Sequence, residues 1–346
     1  MTSISSYGQF LRMQFETQRI QAQQLELHTQ AATGKKGTTL GDLGSQASHS
    51  VNVRAVLQHV QTYQSNIDSI ELRASVMDTA MSRMSVIMDE LRDEYTKLDG
   101  DLTTDTTFIN EIGKRGLKEL ENLLNTQVEG RYVFAGNDLE RAPVRNLDEF
   151  SARFASEISQ YANPAVTGAS VVTAMQAVLY DPAQCYAQTP PVAPDPAAFS
   201  TTLQYAGAPL KARVDVNRDV SYGLRADAPV FRDMLYALST AANLTYEPGN
   251  QAAYDEVRKA GAAAGRSAIT SLANETGRLG LVRSELKQLS NKHESIASAF
   301  EDEIGKVEDV DIADVATKLK LSDTALQSTF QIIASMRQFS LVNFLS

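Results

Sequence analysis

The sequence has 346 residues, 43% of them hydrophobic, so it can bury at least one sizeable core, and a wholly disordered chain is excluded. Its 32 Lys and Arg against 42 Asp and Glu leave a formal charge of -10, which repels phosphate backbones and anionic lipid heads; neither nucleic acid nor a membrane is an expected partner. The single cysteine, Cys185, lies in a Pro-rich stretch, can form no internal disulfide and says nothing of the compartment.

The N-terminus lacks the basic start, apolar stretch and small-residue cleavage site of a secretory signal, and no run is long and apolar enough to predict a transmembrane helix. Phe10, Met13, Gln14, Thr17, Ile20, Gln24 and Leu27 give the first segment a thin apolar stripe at helical spacing. A Gly/Ser/Ala-rich stretch, 37–50, follows. From Val53, apolar residues recur every seventh position at Val60, Ile67, Ala74, Met81, Met88 and Tyr95. A second series, Val56, Tyr63, Ile70, Met77, Met84, Leu91 and Leu98, follows three residues behind. This uninterrupted heptad pattern predicts a helix about 70 Å long. The methionines at 77, 81, 84 and 88 read as adaptable core packing.

Asp99–Gly100–Asp101 ends that helix, and 103–107 offers caps for a shorter one whose apolar spacing, Phe108 to Val128, stops at Gly130. All ten prolines fall between 143 and 248, which excludes long helices there. Gly130 to Asn137 reads as a short strand leading to a turn, with Tyr132 and Phe134 anchoring it. Residues 201–205 and 212–216 alternate as half-buried strands around the turn at 206–209, and 150–161, 169–179 and 229–244 read as short helices. A second long heptad stretch spans 257–307. Leu272, Leu279, Leu286, His293, Phe300 and Val307 hold one position and Ala268, Val282, Leu289 and Ile296 the other, with Glu275 and Glu303 interrupting. Before it, Ala260 to Gly265 is small enough for another helix to approach closely. The last segment carries a stronger stripe, Ile312, Val315, Leu319, Leu326, Phe330, Ile333 and Val342, with Asp311 as its cap and Asp314 in its first turn. Neither terminal segment shows a docking site within the chain, so both are expected to await a partner.

No site chemistry emerges. The four histidines lack a second ligand at i+4, the acidic group from Glu301 to Asp314 (Glu308 included) lacks a calcium-loop spacing and reads as a solvated face, and no phosphate loop, nucleophile elbow or paired-cysteine motif occurs. No enzyme activity, cofactor or metal is expected.

Three local sequences carry a resemblance. Ala31-Ala32-Thr33-Gly34-Lys35-Lys36 resembles the turn after the first helix of the flagellin and hook-associated protein family. Gly130-Arg131-Tyr132-Val133-Phe134-Ala135-Gly136 is similar to a run typical of its hook-filament junction subunits. Leu326 to Leu345, ending Leu341-Val342-Asn343-Phe344-Leu345, resembles the family's C-terminus. A weaker echo stands at 220–224, followed by Phe231-Arg232. The opening residues 3–7 depart from the family's asparagine-rich start. The resemblance implies a mainly α fold with an inserted α+β domain, in which the N- and C-terminal regions form a long antiparallel helical bundle. The expected divisions are 1–50 and 311–346 for assembly, 51–129 and 257–310 for the bundle, and 130–256 for the insert. It implies export by the flagellar type III apparatus and a place at the junction, outside the cell. Its partners would be the first hook-associated protein, flagellin, copies of itself in a ring and a cytosolic export chaperone. Phe10, Met13, Ile20, Leu27, Leu326, Phe330, Ile333, Val342, Phe344 and Leu345 become the expected assembly residues. A minor or divergent flagellin and a secreted coiled-coil effector unrelated to flagella remain the alternatives.

Overall fold

The structure, a computed structural model, describes residues 6–100, 105–136, 138–144, 147–180 and 210–345; the side chains of Ser6, Tyr7, Gln9, Phe10, Asp148, Glu149, Tyr180 and of 336–345 lie outside that description. Helices dominate: α1 (Ser6–Thr33), α2 (Ala47–Gly100), α3 (Thr107–Leu124), α4 (Leu147–Ile158), α5 (Gly168–Tyr180), α6 (Pro229–Asn243), α7 (Gln251–Glu308) and α8 (Ile312–Leu345). Two antiparallel hairpins interrupt them: β1 (Gln127–Val128) with β2 (Arg131–Tyr132), and β3 (Lys211–Asp215) with β4 (Arg218–Ser221). The chain falls into two compact units, Met1–Thr62 with His293–Ser346, and Tyr63–Lys292.

In the second unit the α2 and α7 segments run antiparallel. Gln64 donates to Ser290 at 2.7 Å, Arg283 engages Glu71 at 2.9 Å and Asp78 at 3.1 Å, and Arg258 engages Asp99 at 2.8 Å. The heptad positions from Ile67 to Leu98 are buried, the four methionines among them, and Ala268, Leu272, Leu279, Leu286 and Leu289 close the seam from α7. Val56, expected in that seam, is exposed instead, so the apolar pattern begins a turn before its cover does.

Against this pair lies a second layer. On α3, Ile109, Ile112, Leu117, Leu120 and Leu124 line one face, and two glycines bring α6 unusually near. A Cβ at Gly113 would stand 2.3 Å from the backbone nitrogen of Ala242, and one at Gly116 would stand 2.5 Å from Leu238. The small run on α7 works the same way at Gly261, where a Cβ would meet the Tyr95 hydroxyl at 2.4 Å and Thr240 at 2.7 Å; at Gly265 the neighbours stand back. The Tyr95 hydroxyl donates to the carbonyl of Ala237 at 3.2 Å, and burial pushes its pKa upward. α4 and α5 complete the core with Phe150, Phe154, Val171 and Met175.

One expectation changes here, and one strand pairing is new. α3 ends at Leu124, not near Gly130, because Val128 pairs with Arg131 in the first hairpin. Its two-residue turn puts Glu129 and Gly130 at φ 53° and 74°, the left-handed pair that tight hairpins favour. Residues 201–205 lie outside the described residues, and the partner of β3 is β4 across Val216–Asn217, with a register shift between Arg213 and Asp215. The second hairpin buries Val214 and Val220 with Ile67, Ile70, Leu286 and Leu289.

Candidate functional site

The first unit has a thin core and many open apolar side chains. α1 and α8 pack along each other, which corrects the expectation that the terminal segments find no partner within the chain. Thr17 and Leu27 on α1 and Val315 and Ser322 on α8 are buried, and Gln24 donates to Asp323 at 2.5 Å. Asp311 caps α8 as its position suggests, accepting from the backbone of Ala313 at 2.8 Å and Asp314 at 3.3 Å.

A clasp joins the two helix ends. The turn Gly34–Lys36 lies against the α7–α8 joint: Lys36 N donates to the carbonyl of Glu308 at 2.7 Å, and Val310 N donates to that of Gly34 at 2.9 Å. Gly34, at φ 70°, takes the left-handed conformation that ends α1. The Lys36 ammonium donates to the carbonyls of Lys306 at 2.8 Å and Val307 at 2.7 Å, satisfying acceptors that the end of α7 would leave open. At the centre sits Glu308, only 7% exposed. Its carboxylate accepts from Arg54 through Nε at 3.0 Å and Nη2 at 2.6 Å, and from Ser50 Oγ at 2.5 Å, while Lys35 stands 3.7 Å away and pairs with Asp309 at 2.5 Å.

The side-chain hydrogen bonds from Arg54, then Ser50, hold the Glu308 carboxyl down at about 2, with the charges of Arg54 and Lys35 adding to them. The Asp309 hydrogen bond in turn raises Lys35. Glu308 was expected on a solvated acidic face. It is buried because α7 ends there and two cations, Arg54 and Lys35, converge on it. The paired lysines facing the Glu308–Asp309 pair were the available signal; Ser50 and Arg54, one helical turn apart on α2, gave none.

The expected assembly residues divide. Leu27, at 6% exposed, belongs to the α1–α8 seam, and Met13, Ile20, Leu326 and Ile333 are half-buried along the same helices. Phe330 is open. Phe10, Val342, Phe344 and Leu345 lie on α1 and α8, but their side chains are outside the described residues. Open apolar groups outside the expected set are Phe15 at 69% and Leu25 at 72% on α1, and Ile312, Leu321 and Ile332 on α8. Phe15, Leu25, Leu321 and Ile332 fall off the apolar stripes of those segments, so periodicity passed over them, whereas Ile312 lies on its stripe.

In the second unit, Gly130 to Gly136 forms a structural corner. Arg131 is exposed and Tyr132 half-buried, whereas Phe134 is fully buried, edge-on to Phe231 at 5.6 Å. The carbonyl of Phe134 accepts from Ala226 N at 2.9 Å, and Gly136, at φ 62°, faces Arg225. The weaker sequence echo at 220–232 thus packs on the stronger motif.

Residues 263–345 match the bacterial flagellin C-terminal helical region. The match covers about a quarter of the chain and shows a likeness to the flagellin and hook-associated proteins over that region. A comparison with curated proteins finds no significant match. The architecture agrees, being a flagellin-like helical bundle with small inserted β-hairpins. Among the described residues no cluster of His, Cys, Asp or Glu could hold a metal, and no helix is long and apolar enough to cross a membrane.

Proposed function

We propose that this chain is a tube-forming subunit of the flagellin type, a minor or divergent flagellin, joined to its neighbours through α1 and α8. The observation that carries the reading is the row of open apolar side chains on those two helices, Phe15, Leu25, Ile312, Leu321, Phe330 and Ile332. Fully burying one such side chain stabilises by roughly 1.5–3 kcal/mol. Association costs about 4–15 kcal/mol in lost freedom, so one or two contacts would not hold a subunit. Several must be covered at once, which favours insertion into a ring of neighbours over pairwise contact. Met13, Ile20, Leu326 and Ile333 contribute their half-open edges to this surface; Leu27 is withdrawn from it.

A second reading is favoured by the corner at Gly130 to Gly136, whose sequence resembles the junction subunits. In that reading the chain is an adaptor between the first hook-associated ring and flagellin, forms a single ring of its own copies, and is held by a cytosolic chaperone before export. Electron microscopy of labelled protein on intact flagella separates the two. Decoration along the filament supports the flagellin type, a single spot at the hook-filament boundary supports the adaptor, and label absent from flagella overturns both.

A further inference from the structure

We propose that the second unit carries a binding site for a small oxyanion of the phosphate type, in a cationic hollow between α2 and α7. A cavity of about 140 Å³ opens there, and its wall holds four cations, Arg92, Arg258, Lys259 and Arg266, against one carboxylate, Asp99. In a chain of formal charge -10 this local excess of cations runs against the general trend. Helical spacing assembles it. Arg92, Thr96 and Asp99 share one face of α2, and Lys259, Ala262 and Arg266 share one face of α7. Between the charged side chains, Ala262 and Gly265 supply almost no bulk, and the hollow stays open.

The buried part of the wall is Arg258, only 6% exposed. A guanidinium has five N–H donors. Among the described residues only its Nη2 finds an acceptor, Asp99 Oδ1 at 2.8 Å, while Asp255 stands 3.7 Å from Nε, beyond hydrogen-bond range. Leaving buried donors unmet is costly, so water or an anion has to meet them. Lys259 and Arg266 are exposed, and neither side chain has an ion-pair or hydrogen-bond partner among the described residues. Arg92 is engaged by Asp89 at 2.7 Å and Asp93 at 2.9 Å, so it adds positive field and no free charge. A planar guanidinium fork matches two oxygens of one phosphate, and the Lys259 ammonium adds a point charge for a third. One water occupies about 30 Å³, so the hollow takes several waters or one small ion. The site lies within the second unit and is independent of the role proposed for α1 and α8.

The test is isothermal titration calorimetry of the full chain with inorganic phosphate in a buffer low in chloride. One phosphate should bind per chain, more weakly as sodium chloride is added. Lys259→Gln with Arg266→Gln should lower the affinity at least about tenfold, with circular dichroism unchanged because both side chains are exposed. Arg258→Lys keeps the charge, removes the fork and should weaken binding as well. Lys118→Gln with Lys287→Gln, exposed cations elsewhere on the same unit, should bind phosphate as the wild type does. Phenyl phosphate that binds as tightly makes the site one for phosphomonoesters, and phenyl phosphate that is refused makes it one for the free ion. No saturable heat with inorganic phosphate, full affinity in Lys259→Gln with Arg266→Gln, or an equal loss in Lys118→Gln with Lys287→Gln would each overturn the proposal.

Discussion

Replacing Glu308 by Gln keeps the shape of the clasp and removes its charge. The carboxylate accepts from both Arg54 nitrogens and from Ser50, and a net charge-assisted hydrogen bond contributes about 1.5–3 kcal/mol. Losing one partner of a fully buried ion pair costs about 3–5 kcal/mol, but the Arg54 side chain is 55% exposed and water can take over its guanidinium. The fall of the Glu308 pKa from 4.5 to about 2 gives an independent ceiling of about 3 kcal/mol, which solvent screening around Arg54 and Lys35 reduces. The two routes converge on about 1–2 kcal/mol.

The sign follows from the direction of the shift. A carboxyl whose folded pKa is depressed adds stability that is complete above its unfolded value and disappears as pH falls through the folded one. The difference between wild type and Glu308→Gln should thus be full at pH 7, begin to close below pH 4.5 and vanish near pH 2. Amide hydrogen exchange at Lys36 and Val310 is the direct assay, because both donate across the clasp and report its opening without assuming that the two units unfold together. Exchange that is equally slow in wild type and variant at pH 7 would refute the reasoning, as would a difference that persists unchanged to pH 3.

Three further outcomes are expected. Gly113→Ala forces a Cβ against the backbone of Ala242, which cannot rotate away, and should cost roughly 1–3 kcal/mol in urea unfolding. Phe134→Ala empties a fully enclosed site beside Phe231 and should cost about 3–5 kcal/mol by the same measurement; a stable variant that fails only in assembly would move Phe134 to an interface. Phe15→Ser with Leu25→Ser should leave the unfolding midpoint within about 0.5 kcal/mol of wild type yet abolish incorporation into flagella by electron microscopy.

The long helices were legible because a heptad repeat states both the element and its buried face. Ala74, Met77, Met81, Met84, Met88 and Leu91 all lie where their spacing puts them. Glu275 and Glu303 were legible as interruptions for the same reason. The repeat does not say where cover stops, so Val56 reads the same as Met77 although nothing closes over it. Strand pairing was less legible. Alternation marked 212–216 as a strand, but a five-residue pattern carries no information about its partner, and β4, with Arg218 and Asp219 both exposed, hardly alternates at all.

The site was the least legible part, and the reason lies in how its residues are chosen. Glu308 sits at the end of one helix, Ser50 and Arg54 near the start of another, and Lys35 in a turn, all more than 200 positions from it. A charge at a helix end is ordinarily a solvated cap, and Asp311, three residues on, is one. What separates the two carboxylates is the arrival of the turn that follows α1, a fact of tertiary structure with no local trace. The open apolar groups on α1 and α8 pose the converse problem. Phe15, Leu25 and Leu321 fall off the stripe that the seam requires, and a search for periodicity discards them. In a monomer they would be costly exceptions. In a subunit meant to be surrounded, a helix needs one face for its own chain and another for its neighbours, and the residues that break the first pattern are the ones available to make the second.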